Sequence, residues 1–201
     1  MKNMPTKITN KKSYKYFVTC DDVARNKNQK FLLPIRDTAQ RFQHILRKTE
    51  LLWNTKKRSP LHLILGVLAK IRYTILCRFY NVEIPLNVFG PGLIIWHLQG
   101  ITINGFAKVG RNFSLSKGCT IGHKNWIIPK IGDNCEMMIN SSILGKGINA
   151  HNVSLGAHAL VVKEIDESNS IWVGIPAKEI NSKPAKDTLE RIKRVDSIPY
   201  N

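Results

Sequence analysis

His97 stands in the segment IIWHLQG, and imidazole is the side chain best suited to taking and returning a proton near neutral pH. Counting in sixes puts it in phase with Ile103 and Val109, which would turn the ring inward. An uncompensated polar ring among aliphatics is costly. Gly90, Pro91 and Gly92 break the register just before it. Glu83 precedes it, a carboxylate of the kind that fixes a histidine tautomer from the second ring nitrogen. His123 lies in a polar stretch with Lys124, Asn125 and Trp126, and His151 and His158 fall on later turns. The four cysteines, Cys20, Cys77, Cys119 and Cys135, show no metal-type pairing. They read as small buried hydrophobes in a reducing compartment.

The element that must position these groups runs from about Phe89 to Val162. Every sixth residue forms a column: Ile103, Val109, Leu115, Ile121, then Ile131, Met137, Ile143, Asn149, Leu155 and Val161. A second inward set, Ile101, Ala107, Phe113, Cys119 and Cys135, is mostly smaller. Gly110, Gly122, Gly132 and Gly156 follow column residues, and Asn112, Asp133 and Asn134 occupy corners. An α-helix needs apolar residues at 3.6 spacing and tolerates little Gly, Asn or Asp. The pattern is one flat side of a parallel β-helix, with three sides of six residues to a coil. Ten residues separate Ile121 from Ile131, so a loop within His123 to Pro129 should bulge from one corner.

Three stretches carry a resemblance: NVFGPGLIIWHLQGITIN, PKIGDN, and LGAHALVVKEI followed by WVGIPAKEI. They resemble the hexapeptide-repeat acyltransferases, in the serine-acetyltransferase-like branch that includes capsule and exopolysaccharide O-acetyltransferases. The resemblance covers roughly half the chain. It implies a mainly β fold, a left-handed parallel β-helix with an N-terminal α-helical region and a short C-terminal tail. The left hand comes from the resemblance alone, since chain physics favours right-handed crossovers. The expected boundaries are 1–80 for the basic helical region, 81–180 for the β-helix and 181–201 for the tail.

The resemblance makes His97 the general base that takes the acceptor hydroxyl's proton, a role worth on the order of 10²–10⁴-fold. Glu83 stands near the position of the family's orienting Asp, with one residue fewer before the His. Trp96 stands where the serine enzymes carry an additional Asp that helps hold the amino acid. An indole cannot pair with an ammonium but can stack on a sugar, which argues for a carbohydrate acceptor. The serine enzymes' second His corresponds to Ile128, leaving His123 as the loop residue able to reach the acceptor. Acetyl-CoA, the implied acyl donor, is expected along an inter-subunit groove, touching Ile139, Ala157, Val162, Lys163 and Lys178, with no metal. Met138 to Ser142 depart from the family's Gly-Ala-Gly-Ala run. The expected assembly is a homotrimer or a dimer of trimers, and the expected activity is O-acetylation of a sugar hydroxyl in capsule, O-antigen or exopolysaccharide synthesis. The alternatives are serine O-acetylation and N-acetylation of a nucleotide-linked amino sugar. A zinc site on His97, His123 and His151 has the right inventory but not the spacing.

Charge is uneven. Residues 1–80 carry 18 Lys and Arg and 4 Asp and Glu, net +14, whereas 81–201 carry 13 and 10, net +3. Such a surface attracts anionic glycan, lipid or phosphorylated ligands, and no nucleic-acid motif accompanies it. Asp21 and Asp22 are placed to cap a short helix before Val23. Helical spacing covers Phe31 to Trp53, and after a break at Lys56 to Pro60 a second helix covers Leu61 to Tyr80. The run Leu61–Ala69 is too short to span a bilayer; it suits packing on a partner helix or subunit, or resting on an anionic membrane surface. The N-terminus has no apolar leader, which suits a cytoplasmic enzyme. Asp187 to Val195 has the look of a short helix.

Overall fold

The computed structural model describes residues 4–25 and 37–200; the start of the helical stretch expected from Phe31 lies outside them. Helix α1 spans Lys11–Ala24, α2 spans Thr38–Thr55, a 3₁₀ turn covers Lys56–Arg58, and α3 spans Pro60–Phe79. Each start has a side-chain cap. Asn10 and Ser13 form a capping box, Asp37 accepts from the Gln40 amide, and Ser59 accepts from the His62 amide beside Pro60. Asp21 and Asp22 therefore cap nothing: they lie inside α1, and Asp21 is buried.

The rest is a stack of short parallel strands in three sheets. One holds β1 (Ile94–Ile95), β4 (Ser114–Leu115), β7 (Glu136–Met137), β10 (Ser154–Leu155) and β12 (Ile171–Val173), closed by antiparallel β13 (Lys178–Asn181). The second orders β11 (Leu160–Val161), β8 (Ser142–Leu144), β5 (Thr120–Gly122) and β2 (Thr102–Ile103). The third holds β3 (Lys108–Val109), β6 (Lys130–Ile131) and β9 (Gly147–Ile148). Helix α4, Lys186–Asp196, returns to the first coils, where buried Arg191 donates from Nε to Asn112 Oδ1 at 3.1 Å.

The column residues fill the interior, with one exception. Ile148, not Asn149, pairs with Ile131 and is buried, while Asn149 is exposed. Gly147, at φ 102°, lies directly on the backbone of Lys130, and this close approach takes up one residue at that corner. At another corner Asn112, Asn134, Asn152 and Asn169 stack, each amide donating to the next at 2.8–2.9 Å, all at positive φ. Asn tolerates that conformation better than other side chains with a Cβ. The four cysteines are free and buried, and burial pushes the Cys135 thiol up to about 12.

The helices seal the open edge of the first coil. Arg47 on α2 is wholly buried and meets Asp21 at 2.8 Å, Glu50 at 3.1 Å, and the carbonyls of Phe89 and Gly90 at 3.0 and 2.6 Å. The amides of Gly92 and Leu93 both donate to Asp21 Oδ1 at 2.8 Å. Gln43 donates to the Leu93 carbonyl and accepts from the Ile95 amide. An uncovered strand edge is a row of unmet donors and acceptors; here α1 and α2 meet them. Burial opposes a charge on Arg47, but Asp21 and Glu50 outweigh it and raise its pKa further.

His44 Nε2 lies 2.7 Å from Asp22 Oδ1, joining α2 to α1. That hydrogen bond, working against burial, raises the imidazole above its ordinary 6.5. The stabilisation is thus fully present below pH 6.5 and is lost as pH rises through the raised value. Both side chains are partly solvated, so it amounts to at most about 1 kcal/mol. Urea midpoints measured across this range should fall for the native chain and stay flatter for His44→Gln; identical profiles would refute the link.

Candidate active site

His97 follows β1 at a corner of the coil. Ile95 pairs with Leu115 and Ile103 with Ile121, so eight positions rather than six separate these two inward residues. The two additional residues swell the corner that carries His97, with Gln99 at φ 75° and Gly100 at φ 68° turning the chain back. The break in register therefore comes after His97 as well as before it. The ring is exposed, not buried in the column.

From His97 a groove runs along this corner, parallel to the coil axis, enclosing about 590 Å³. Its walls include Lys117 on the second coil, Met138 and Ile139 on the third, and Gly156 and Ala157 on the fourth. The structure thus brings His97, Ile139 and Ala157 to one groove. Lys178 is exposed on β13, which pairs with β12 at the end of this corner. Val162 and Lys163 follow β11 at the neighbouring corner, with Gly122 and Gly145, and are not brought to this groove. The groove crosses four coils, with small residues, Gly156 and Ala157, at one end, and such a run suits an extended chain.

A second cavity, of about 380 Å³, opens on the other side of His97 between Trp96, Gln99, Thr38, Arg25 and Asp37. Arg25 and Asp37 pair at 2.9 Å, and Arg25 also donates to the Ile95 carbonyl. Burial lowers the Arg25 pKa, opposed mainly by Asp37. Sequence reasoning missed both residues. They lie 72 and 60 positions from His97, and the only signal was the capping pattern of Asp37 before α2. Trp96 lines both cavities, yet its indole N–H donates to Ser114 Oγ at 2.9 Å and the Arg25 guanidinium covers its ring at 5.6 Å. The rest of the indole is open, Trp96 being 45 % exposed.

Glu83 is not brought to His97. It pairs by backbone with Thr102, points outward, and lines a separate cavity of about 880 Å³. Among the described residues it makes no hydrogen bond to the imidazole. His123 shares that cavity. It stacks on Trp126 with ring centroids 5.6 Å apart, and its Nδ1 lies 3.3 Å from Asn104 Nδ2. The extra loop is a tight hairpin with Lys124 and Ile127 paired and Asn125 and Trp126 at positive φ. Trp126 is 89 % exposed at its tip, and Ile128 is also exposed. His151 Nδ1 accepts from the Asp133 amide at another corner. No cluster of three or more metal-ligating side chains occurs among the described residues.

Three sheets of short hexad strands stacked in this way make a parallel β-solenoid preceded by a helical region. No protein-family model matches the sequence. Among individual proteins, the serine acetyltransferase of Staphylococcus epidermidis is 34% identical over 107 residues, 50% of each chain. That of Staphylococcus xylosus is 32% identical over 116 residues, 55% of this chain and 53% of its own. The chain spans about half the length of the relatives it matches. Among solved structures, serine acetyltransferase from Brucella abortus superposes with a TM-score of 0.66 at 17% identity, covering 86% of this chain and 71% of its own. A Neisseria gonorrhoeae serine acetyltransferase in complex with serine gives 0.64 at 21% identity, covering 85% and 70%. At such identities the structures speak for the fold alone. The sequence relatives overturn the expectation of a sugar acceptor and a role in surface-polysaccharide assembly.

Proposed function

We propose that the chain is an acetyl-CoA-dependent serine O-acetyltransferase, the reaction named for its sequence relatives. The observation that carries the acyl-transfer reading is the corner groove that starts at His97 and ends at Ala157. The pantetheine arm of acetyl-CoA lies along it past Ile139, with Lys178 on β13 near its far end as a point charge for the phosphates. His97 takes the proton of the serine hydroxyl as that oxygen attacks the thioester carbonyl. The new C–O bond forms, the C–S bond breaks, and the proton passes to the departing thiolate. Backbone amides of the corner stabilise the oxyanion.

The second cavity supports an amino-acid acceptor. Serine is a zwitterion, and the paired Arg25 and Asp37 give this cavity beside His97 a polar wall that suits one. The assembly in this reading is a homotrimer or a dimer of trimers, with the His123–Trp126 loop reaching toward a neighbour's groove.

The test is thioester consumption by the purified chain with acceptors supplied one at a time: L-serine, a nucleotide-linked amino sugar, and capsular oligosaccharides. Serine-dependent release of CoA thiol with formation of O-acetylserine is expected. Transfer to the amino sugar with none to serine overturns the reading.

A further inference from the structure

Helix α3 is clamped on one side and bare on the other. A Cβ on Gly66 would sit 2.9 Å from the Leu52 carbonyl of α2, Tyr73 donates to the Ile84 carbonyl at 2.7 Å, and Cys77 is buried. On the opposite side Leu61, Ile64, Leu68, Ile71, Ile75 and Phe79 recur at three- and four-residue steps and are 52–77 % exposed. A contiguous apolar stripe of this kind is rare on a soluble surface without a partner.

Its surroundings decide which partner. Helix α3 contains no Asp or Glu; Arg72 and Arg78 flank the stripe, and Lys56, Lys57 and Arg58 precede the helix. A second copy laid on the stripe would bring arginine to arginine with no carboxylate on either helix to answer them, and like charges across an interface are penalised. An anionic surface answers every one. By length and hydropathy α3 could cross a bilayer. It is nevertheless tied along its inner face to α2 and the first coil, and Lys70 lies 4.1 Å from the Trp53 ring on that side. A helix held in this way lies in the membrane plane with only its outer face immersed.

We propose that α3 docks this protein onto an anionic lipid bilayer, inserting the Leu61–Phe79 stripe while Arg72, Arg78 and the Lys56–Arg58 turn meet the headgroups. This is independent of the acceptor the enzyme uses.

The experiment is flotation of the full chain with phosphatidylcholine vesicles, with and without phosphatidylglycerol. Binding to the anionic vesicles should be at least about tenfold tighter, since each basic residue near the surface contributes on the order of 1 kcal/mol, and it should weaken with salt. The double variant L68E/I75E should lose binding while keeping its circular dichroism, because both positions are exposed. Arg72→Gln with Arg78→Gln should reduce the anionic preference and leave the fold untouched. Three results overturn the proposal. The native chain fails to float with anionic vesicles; L68E/I75E floats as well as the native chain; or the native chain stays off lipid and L68E/I75E loses self-association, which gives the stripe to a second copy.

Discussion

Replacing His97 with alanine is expected to lower turnover on the order of 10²-fold or more while leaving CoA binding intact. The loss follows from removing the group that accepts the hydroxyl proton in the transition state. CoA binding persists because Ile139 and Ala157 lie on later coils of the same groove. Folding persists because the ring is exposed at a swollen corner and not part of the inward column. Glu83→Gln should cost far less, because Glu83 lines a different cavity. Steady-state turnover with a separate calorimetric titration of CoA checks both halves. Near-native turnover in the alanine variant would remove His97 from the chemistry and turn attention to His123.

Arg47→Met should be the most damaging single change to stability. It strands Asp21 and Glu50 inside the protein and leaves the carbonyls of Phe89 and Gly90 without their donor. Breaking a buried pair from one side costs about 3–5 kcal/mol, which for a chain of this size lowers the melting midpoint on the order of 10 °C. The segment held by this network, Phe89–Leu93, leads directly into the strand before His97, so turnover per folded molecule should fall too. Denaturation followed by circular dichroism, with activity per folded molecule, measures both. A loss below about 1 kcal/mol would mean that the guanidinium is not the tie between helices and coil.

Much of the β-helix was legible because its physics is local. One flat side of a coil needs an aliphatic residue, a turn and a small residue within six positions, so Ile103, Val109, Leu115 and Ile121 announce their own burial. The helices at Thr38–Thr55 and Pro60–Phe79 announced themselves in the same way, through 3.6-residue spacing, while their caps, Asp37 and Ser59, were not read from it. The hairpin loop was legible as a simple excess of residues between Ile121 and Ile131.

What the sequence could not decide was anything set by contact between distant segments. Gln43, Arg47 and Glu50 are polar residues of α2, yet all three are buried, because their partners are the open edge of a coil some forty to fifty residues later. Asp21 reads as a helix cap for the same reason. The direction of His97 depended on two residues added beyond it, which periodicity counted from one side does not register. Arg25 and Asp37 join the site only because α1 and α2 fold over Ile95. Hydrophobic repeats encode which residues must leave water; which polar groups leave with them depends on the unmet hydrogen bonds that the tertiary structure presents.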